Sequence, residues 1–424
     1  MKLRTEAVAD VGPRPARSET EANASSRWVD ETICRVVREQ FAALAGADVR
    51  AVVLTGSMAR GEATIVEADA WNRVRGDAEF LVICDDAKKL PAPAFMSHLG
   101  EQINRELAEV KISCRICLSA VSTGYLRRIT PHIFGYELRC CGKVIWGDPD
   151  VLALIPHFTA HDIPREDALR ILCNRILECL EVACGLPVEP RQLQYALAKL
   201  YLDMATSFLV FRGAYRPSYR ERLEQVRKLA RQSPQEQSSQ EQSWPFAKED
   251  FSQKLDWATH VKLSADTIRH SSSEDQGLLK AAVRDAHDLW RWELMQLLAV
   301  DSETPDHTLF ALWAKSQSGS SRARGWARVL RDASWQERWR NGIRWVLLGG
   351  RWTPRHAVYA ASCQLFFCLP DLQRVSACNG HADLSRLEAL LPVKPLTNSA
   401  SQGWRSLAAA VALNYHRFLE TTRT

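Results

Sequence analysis

Between Leu54 and Ile83 the chain reads LTGSMARGEATIVEADAWNRVRGDAEFLVI, and two features there could do chemistry. Asp77 and Glu79 stand two apart at the head of an apolar run that reads as a strand. Side chains on a strand alternate with period two, so both carboxylates project from one face. Two such groups side by side repel each other unless a cation lies between them. Mg²⁺ (or Mn²⁺), bound by one or two carboxylates together with substrate phosphates, is the usual ion at phosphoryl-transfer sites. Upstream, Gly56 and Ser57 close another short apolar run. Gly56 lets the backbone turn tightly and approach phosphate oxygens. Ser57 offers a hydroxyl donor, and free N–H groups at the start of a following helix favour an anion. A pair of metal ions at such a site would activate an attacking hydroxyl and stabilise a leaving pyrophosphate.

The elements that must position these residues are legible as periodicity. Trp28 to Ala45 carries apolar residues at helical spacing, with Gly46 as its stop. Ala51 to Thr55 and Glu79 to Cys84 read as short buried strands, Phe95 to Glu109 as an amphipathic helix, and Val110 to Val121 as a third strand. A short helix near Pro131 to Leu138 and a strand at Lys143 to Trp146 close the unit. The order helix, strand, strand, helix, strand predicts a small mixed β-sheet with helices packed against it. From Asp162, the expected N-cap of a helix with Pro164 in its first turn, the pattern becomes helical. A second helix is expected from about Arg191 to Phe211, and a third at the capping box Ser218-x-x-Glu221. The fold class is therefore α+β, a small sheet domain followed by an all-α helical region. The expected divisions are a flexible leader 1–26, a sheet domain 27–160, a helical bundle 161–232, a polar linker 233–245 and a helical C-terminal domain 246–424.

The succession strand, Gly56-Ser57, spacer, Asp77-x-Glu79 on the next strand resembles the signature of the DNA polymerase beta-like nucleotidyltransferase superfamily. Arg60-Gly61-Glu62 continues its common GSxARGE form, and LRRITPHIFGYELRCCGKVIWGD looks like the distal part of such domains in bacterial proteins. The resemblance covers about Ala51 to Asp148. It implies a metal-dependent transfer of a nucleotidyl group from a nucleoside triphosphate to an acceptor that the sequence does not identify. Asp77 and Glu79 would be the catalytic metal ligands, and Gly56, Ser57 and Arg60 would hold the nucleotide. Members often add a helical bundle with a triphosphate-binding lysine. Lys199, an isolated ammonium in the apolar run YALAKLYLDMATSFLVF, fits that role, and an i,i+4 pair with Asp203 is its plainer reading. Tyr215, Arg216, Tyr219 and Arg220 in AYRPSYRER resemble the segment beyond that helix.

Two departures bear on activity. The spacer from Gly56 to Asp77 is long, and Val66 to Arg75 is expected to form a loop over the site. The strand that should bring a third carboxylate reads Arg115-Ile-Cys-Leu-Ser119, with Cys117 where the acid is expected. Glu137 from the short helix is better read as a structural contact. The alternative function is thus a catalytically degenerate nucleotide-binding sensor or interaction module, with the Trp-rich C-terminal half as its partner surface.

Other signals narrow the field. A net charge of +5 suits an acidic small molecule such as a nucleotide without arguing for nucleic acid. Arg322 to Arg355 interleaves arginines with Trp326, Trp335, Trp339, Trp345 and Trp352, but tryptophan at helical spacing reads as core, so nucleic acid is not the expected partner. Cys114 and Cys117 point to opposite faces of a strand and make no zinc site, and His287, His356 and His381 lack ligand spacing. No apolar run is long enough to span a bilayer and the N-terminal segment has no signal-peptide core, so no membrane partner is expected. Twelve cysteines scattered through apolar segments suit a reducing, cytoplasmic setting.

Overall fold

The computed structural model describes residues 19–44, 48–86, 90–184, 190–232, 244–264, 272–372, 381–393 and 403–420. It divides into two compact units, one of residues 1–125 and 143–151, the other of 126–142 and 152–424. The architecture is α+β.

The first unit is built on a five-stranded mixed sheet of β1 (Val49–Thr55), β2 (Thr64–Ala68), β3 (Trp71–Cys84), β4 (Ile112–Ser122) and β5 (Lys143–Gly147). The long β3 is its axis. Its first residues pair with β2, its last with β1, both antiparallel, while β4 runs parallel along its other edge and β5 pairs with the far side of β1. The helices Glu19–Ala43 and Pro93–Glu109 cover the sheet, and Val29, Ile33, Val37, Leu99 and Ile103 join Val52, Leu54, Phe80 and Val82 in its core. Val52, Val53 and Leu54 are all buried, as a continuous apolar run on an inner strand requires.

Two expectations change here. The first helix begins at Glu19, so part of the expected leader is helical, while residues 1–18 lie outside the described residues. Val66 to Arg75 is not a loop. Thr64–Ala68 and Trp71–Arg75 pair residue for residue as a hairpin through Asp69-Ala70, both at positive φ (52° and 63°). That geometry is the two-residue turn whose twist matches antiparallel strands, normally signalled by Asn-Gly or Asp-Gly. Without the glycine, the turn was hidden in the sequence.

The second unit is helical around one hydrophobic core. Residues 126–142, expected in the sheet domain, belong to it. Asp167, in the helix Arg165–Cys184, accepts a 2.8 Å hydrogen bond from the Ile133 amide at the start of the helix Ile133–Cys141. The helices on either side of the expected linker also share this core, since Leu197, Tyr201 and Phe208 cluster with Phe251, Trp290 and Trp313. Residues 233–243 of that linker lie outside the described residues. Asp162 is not the cap of the long helix. It accepts from the Thr159 amide at 2.7 Å and closes a short 3₁₀ turn, and the helix starts at Arg165. The capping box of Ser218 and Glu221 forms as expected. Among the described residues no helix is long and apolar enough to cross a membrane.

Glu293 lies fully buried in this core, and both its carboxylate oxygens lack a hydrogen-bond partner. Burial pushes its pKa up to about 8. Between the ordinary glutamate range and pH 8 the folded chain therefore keeps a proton that the unfolded chain has lost, and stability falls as pH rises, by about 1.4 kcal/mol per pH unit at most. Glu293→Gln has no proton to lose. The difference in urea midpoint between about pH 5 and pH 8 is expected to shrink in this variant relative to wild type. An unchanged difference would place the pH sensitivity elsewhere.

Candidate active site on the sheet

Asp77 and Glu79 are both exposed on β3, and Ala78 and Phe80 between and after them are buried, so the two carboxylates share the open face. β1 delivers the glycine turn to the same place. Thr55, its last residue, pairs with Glu79, and the Thr55 hydroxyl donates to the Glu79 carbonyl at 3.3 Å. Gly56 follows at φ +68°, a left-handed conformation that costs an L side chain strain. A Cβ there would also lie 2.6 Å from Glu79 Oε2. The left-handed backbone is what calls for glycine here, and the turn lies directly against the tip of the Glu79 side chain.

The next residues brace the turn. Gly56–Ala59 form one helical turn, with Met58 and Ala59 buried beneath it and Ser57 half-buried. The Glu62 amide donates to the Ser57 carbonyl at 2.8 Å. Arg60 and Glu62 form an ion pair at 3.1 Å, with side chains only 6% and 3% exposed. The structure therefore engages the Arg60 guanidinium inside the fold. Removing either partner would break a buried charge pair, a strongly destabilising change.

On the other edge of β3, β4 sets Arg115 beside Asp77 and Cys117 beside Glu79. Arg115 Nε is 4.0 Å from Asp77 Oδ1, with both side chains solvated, a pairing that contributes little. Cys117 is the residue that this register sets next to Glu79. Burial, then the Asp77 charge and a hydrogen bond to Asp77, raise its thiol pKa, so the sulfur stays protonated at neutral pH. A protonated thiol is neither a nucleophile nor a ligand for a hard cation. Among the described residues no group of three His, Cys, Asp or Glu side chains is gathered to hold a metal ion. Asp77 and Glu79 supply oxygen donors that suit one Mg²⁺ or Mn²⁺ ion completed by phosphates and water. They do not make the fuller ligand set of a two-metal centre.

The chain matches no family model, no curated protein and no solved structure.

The remaining sequence candidates lie in the helical unit. Lys199 Nζ is 3.5 Å from Glu178 Oε2 and 5.9 Å from the centre of the Tyr195 ring. Asp203, its expected alternative partner, is instead held by Arg175 at 2.6 Å. Within AYRPSYRER the residue that organises the structure is Arg222, which the sequence reading passed over. Its buried guanidinium donates to Glu137 at 2.7 Å, to the Thr206 hydroxyl at 2.8 Å and to the carbonyls of Arg216 and Pro217. Glu137, which also accepts from the buried Tyr215 hydroxyl, is thus a structural contact. Arg216 and Arg220 border an open groove of about 810 Å³ with Lys228 and Arg231.

Proposed function

We propose that the sheet unit binds a nucleoside triphosphate with Mg²⁺ or Mn²⁺ on the open face of β3 and transfers its nucleotidyl group to an acceptor hydroxyl, phosphate or protein side chain. The observation that carries this reading is the closure of the Gly56 turn against the carboxylate of Glu79, on the strand face that also exposes Asp77. It supports the resemblance to the polymerase beta-like nucleotidyltransferases at the four residues that define it. Asp77 and Glu79 hold the ion, which when bound neutralises phosphate charge. Gly56 admits the phosphates to the backbone and Ser57 donates to them. In the transfer, a bond forms between the acceptor oxygen and the α-phosphorus as the bond to pyrophosphate breaks, and the proton of a hydroxyl acceptor passes to solvent. The braced turn and rigid strand hold these groups without reorganisation. The setting we assign is the cytoplasm, where nucleoside triphosphates are abundant and scattered thiols stay reduced.

A second reading, a module that binds nucleotide without turnover, is favoured by one observation, Cys117 rather than an acid beside Glu79. Binding of labelled ATP, GTP, CTP and UTP with Mg²⁺ or Mn²⁺, with pyrophosphate followed in parallel, separates the two. Transfer predicts metal-dependent binding and pyrophosphate release, both abolished by a chelator. Binding without release in the presence of a broad set of acceptors supports the module. Absence of metal-dependent binding sinks both.

A further inference from the structure

The helix Trp335–Gly349 carries an apolar stripe on its outer face. Trp335 is 72% exposed, Trp339 75%, Ile343 82%, Val346 76% and Leu347 71%. Their spacing of i, i+4, i+8, i+11 and i+12 sets all five on one side of the helix, while Asn341, Trp345 and Leu348 face inward. The helix is properly made, with Ser334 and Glu337 forming a capping box at its start. Contiguous apolar surface of this kind marks an interaction site.

We propose that this face is the interface of a twofold dimer in which the helix packs antiparallel against the same helix of a second copy. Three features choose a second copy as the occupant. The first is the gradient of side-chain size, since the two indoles occupy the N-terminal half and the three branched aliphatics the C-terminal half. Antiparallel pairing sets each indole of one copy against the aliphatics of the other, whereas parallel pairing would crowd four indoles at one end. The second is a hollow of about 350 Å³ beside the C-terminal half, lined by Trp326, Leu330, Gly342, Val346, Gly349 and Gly350. A twofold axis across the helix brings the partner's N-terminal half, with its projecting indole, over that hollow. The knob and the hole therefore lie on one surface, as a self-complementary interface requires. The third is area. Indoles bury roughly 150–250 Å² each, so two of them with three large aliphatics approach the ~800 Å² per partner of a standard interface.

The exposed Arg340 flanks the stripe near the middle of the helix, while Arg331 is paired with Asp332 at 2.9 Å. Repulsion between the two copies' Arg340 across the dimer is screened by salt, so association is expected to tighten as salt rises, opposite to binding of nucleic acid or an anionic membrane.

Sedimentation velocity on the full chain from about 1 to 100 μM tests this. The expected result is a dimer in wild type and a monomer in Trp335→Ser/Trp339→Ser, with association weakened at least ~100-fold. These side chains are exposed, so the far-UV spectrum and thermal midpoint should hold. Gly342→Arg enters the hollow from the other side. A Cβ there meets nothing within 4 Å in the monomer, and a helix interior gains from losing glycine, so this variant should fold and also fail to dimerise. Wild type that stays monomeric throughout this range overturns the proposal, whether or not it binds anionic vesicles. Dimers that survive in both variants overturn it equally.

Discussion

Replacing Asp77 by Asn and Glu79 by Gln together is expected to weaken metal-dependent nucleotide binding at least ~100-fold while leaving the fold intact, because metal ligands give large losses when neutralised. Both side chains are solvated, and the Asp77–Arg115 pair at 4.0 Å between exposed groups contributes little, so the double variant should lie within about 0.5 kcal/mol of wild type in urea unfolding. The amides preserve shape and remove charge. The chemistry is therefore tested with the Gly56 turn undisturbed, and that turn fits closely against the Glu79 side chain. In the absence of metal the variant is expected to bind nucleotide no worse than wild type. Two negative charges no longer face the phosphates, so the signature is loss of the metal's contribution rather than loss of all affinity. Equal metal-dependent affinity in the two proteins would remove Asp77 and Glu79 from the site.

The carboxylate pair was legible because a strand's period is two and the alternation is strict, with Ala78 and Phe80 buried and Asp77 and Glu79 exposed. The strand cores, the helix from Pro93 and the capping box at Ser218 were legible for similar local reasons. What escaped depends on registers and partners far apart in the chain. Arg115 stands beside Asp77 only because β4 runs parallel to β3 with a shift between Arg73 and Asp77, which no local pattern records. The helix Ile133–Cys141 joins the helical unit because Asp167 caps it and Arg222 holds its Glu137, contacts 34 and 85 residues away in sequence. The tryptophans divide. Trp326, Trp345 and Trp352 are core as helical spacing suggests, yet Trp335 and Trp339 are exposed on the opposite face. Composition alone cannot separate a helix's inward face from an outward apolar one.

Cys117→Asp is expected to supply the missing third carboxylate. The thiol sits beside Glu79 in register and close enough to Asp77 to feel its charge, so an aspartate in its place stands next to both existing carboxylates. Without metal three negative charges would crowd one edge of the sheet, and the variant should lose about 1–2 kcal/mol of stability, recovered as Mg²⁺ or Mn²⁺ is added because metal binds the folded state only. Wild type should show a smaller metal-dependent rise in thermal midpoint. If nucleotidyl transfer is limited by an incomplete ligand set, pyrophosphate release should increase about tenfold or more in Cys117→Asp, since a second ion stabilises both the attacking and the leaving oxygen. Cys117→Ala separates position from sulfur. It should bind metal and nucleotide as wild type does, because a thiol held protonated contributes no ligand. Loss of turnover in Cys117→Ala would instead assign the sulfur a direct part in the reaction. An aspartate that binds metal no better than the cysteine would mean that the third ligand position lies elsewhere on the sheet.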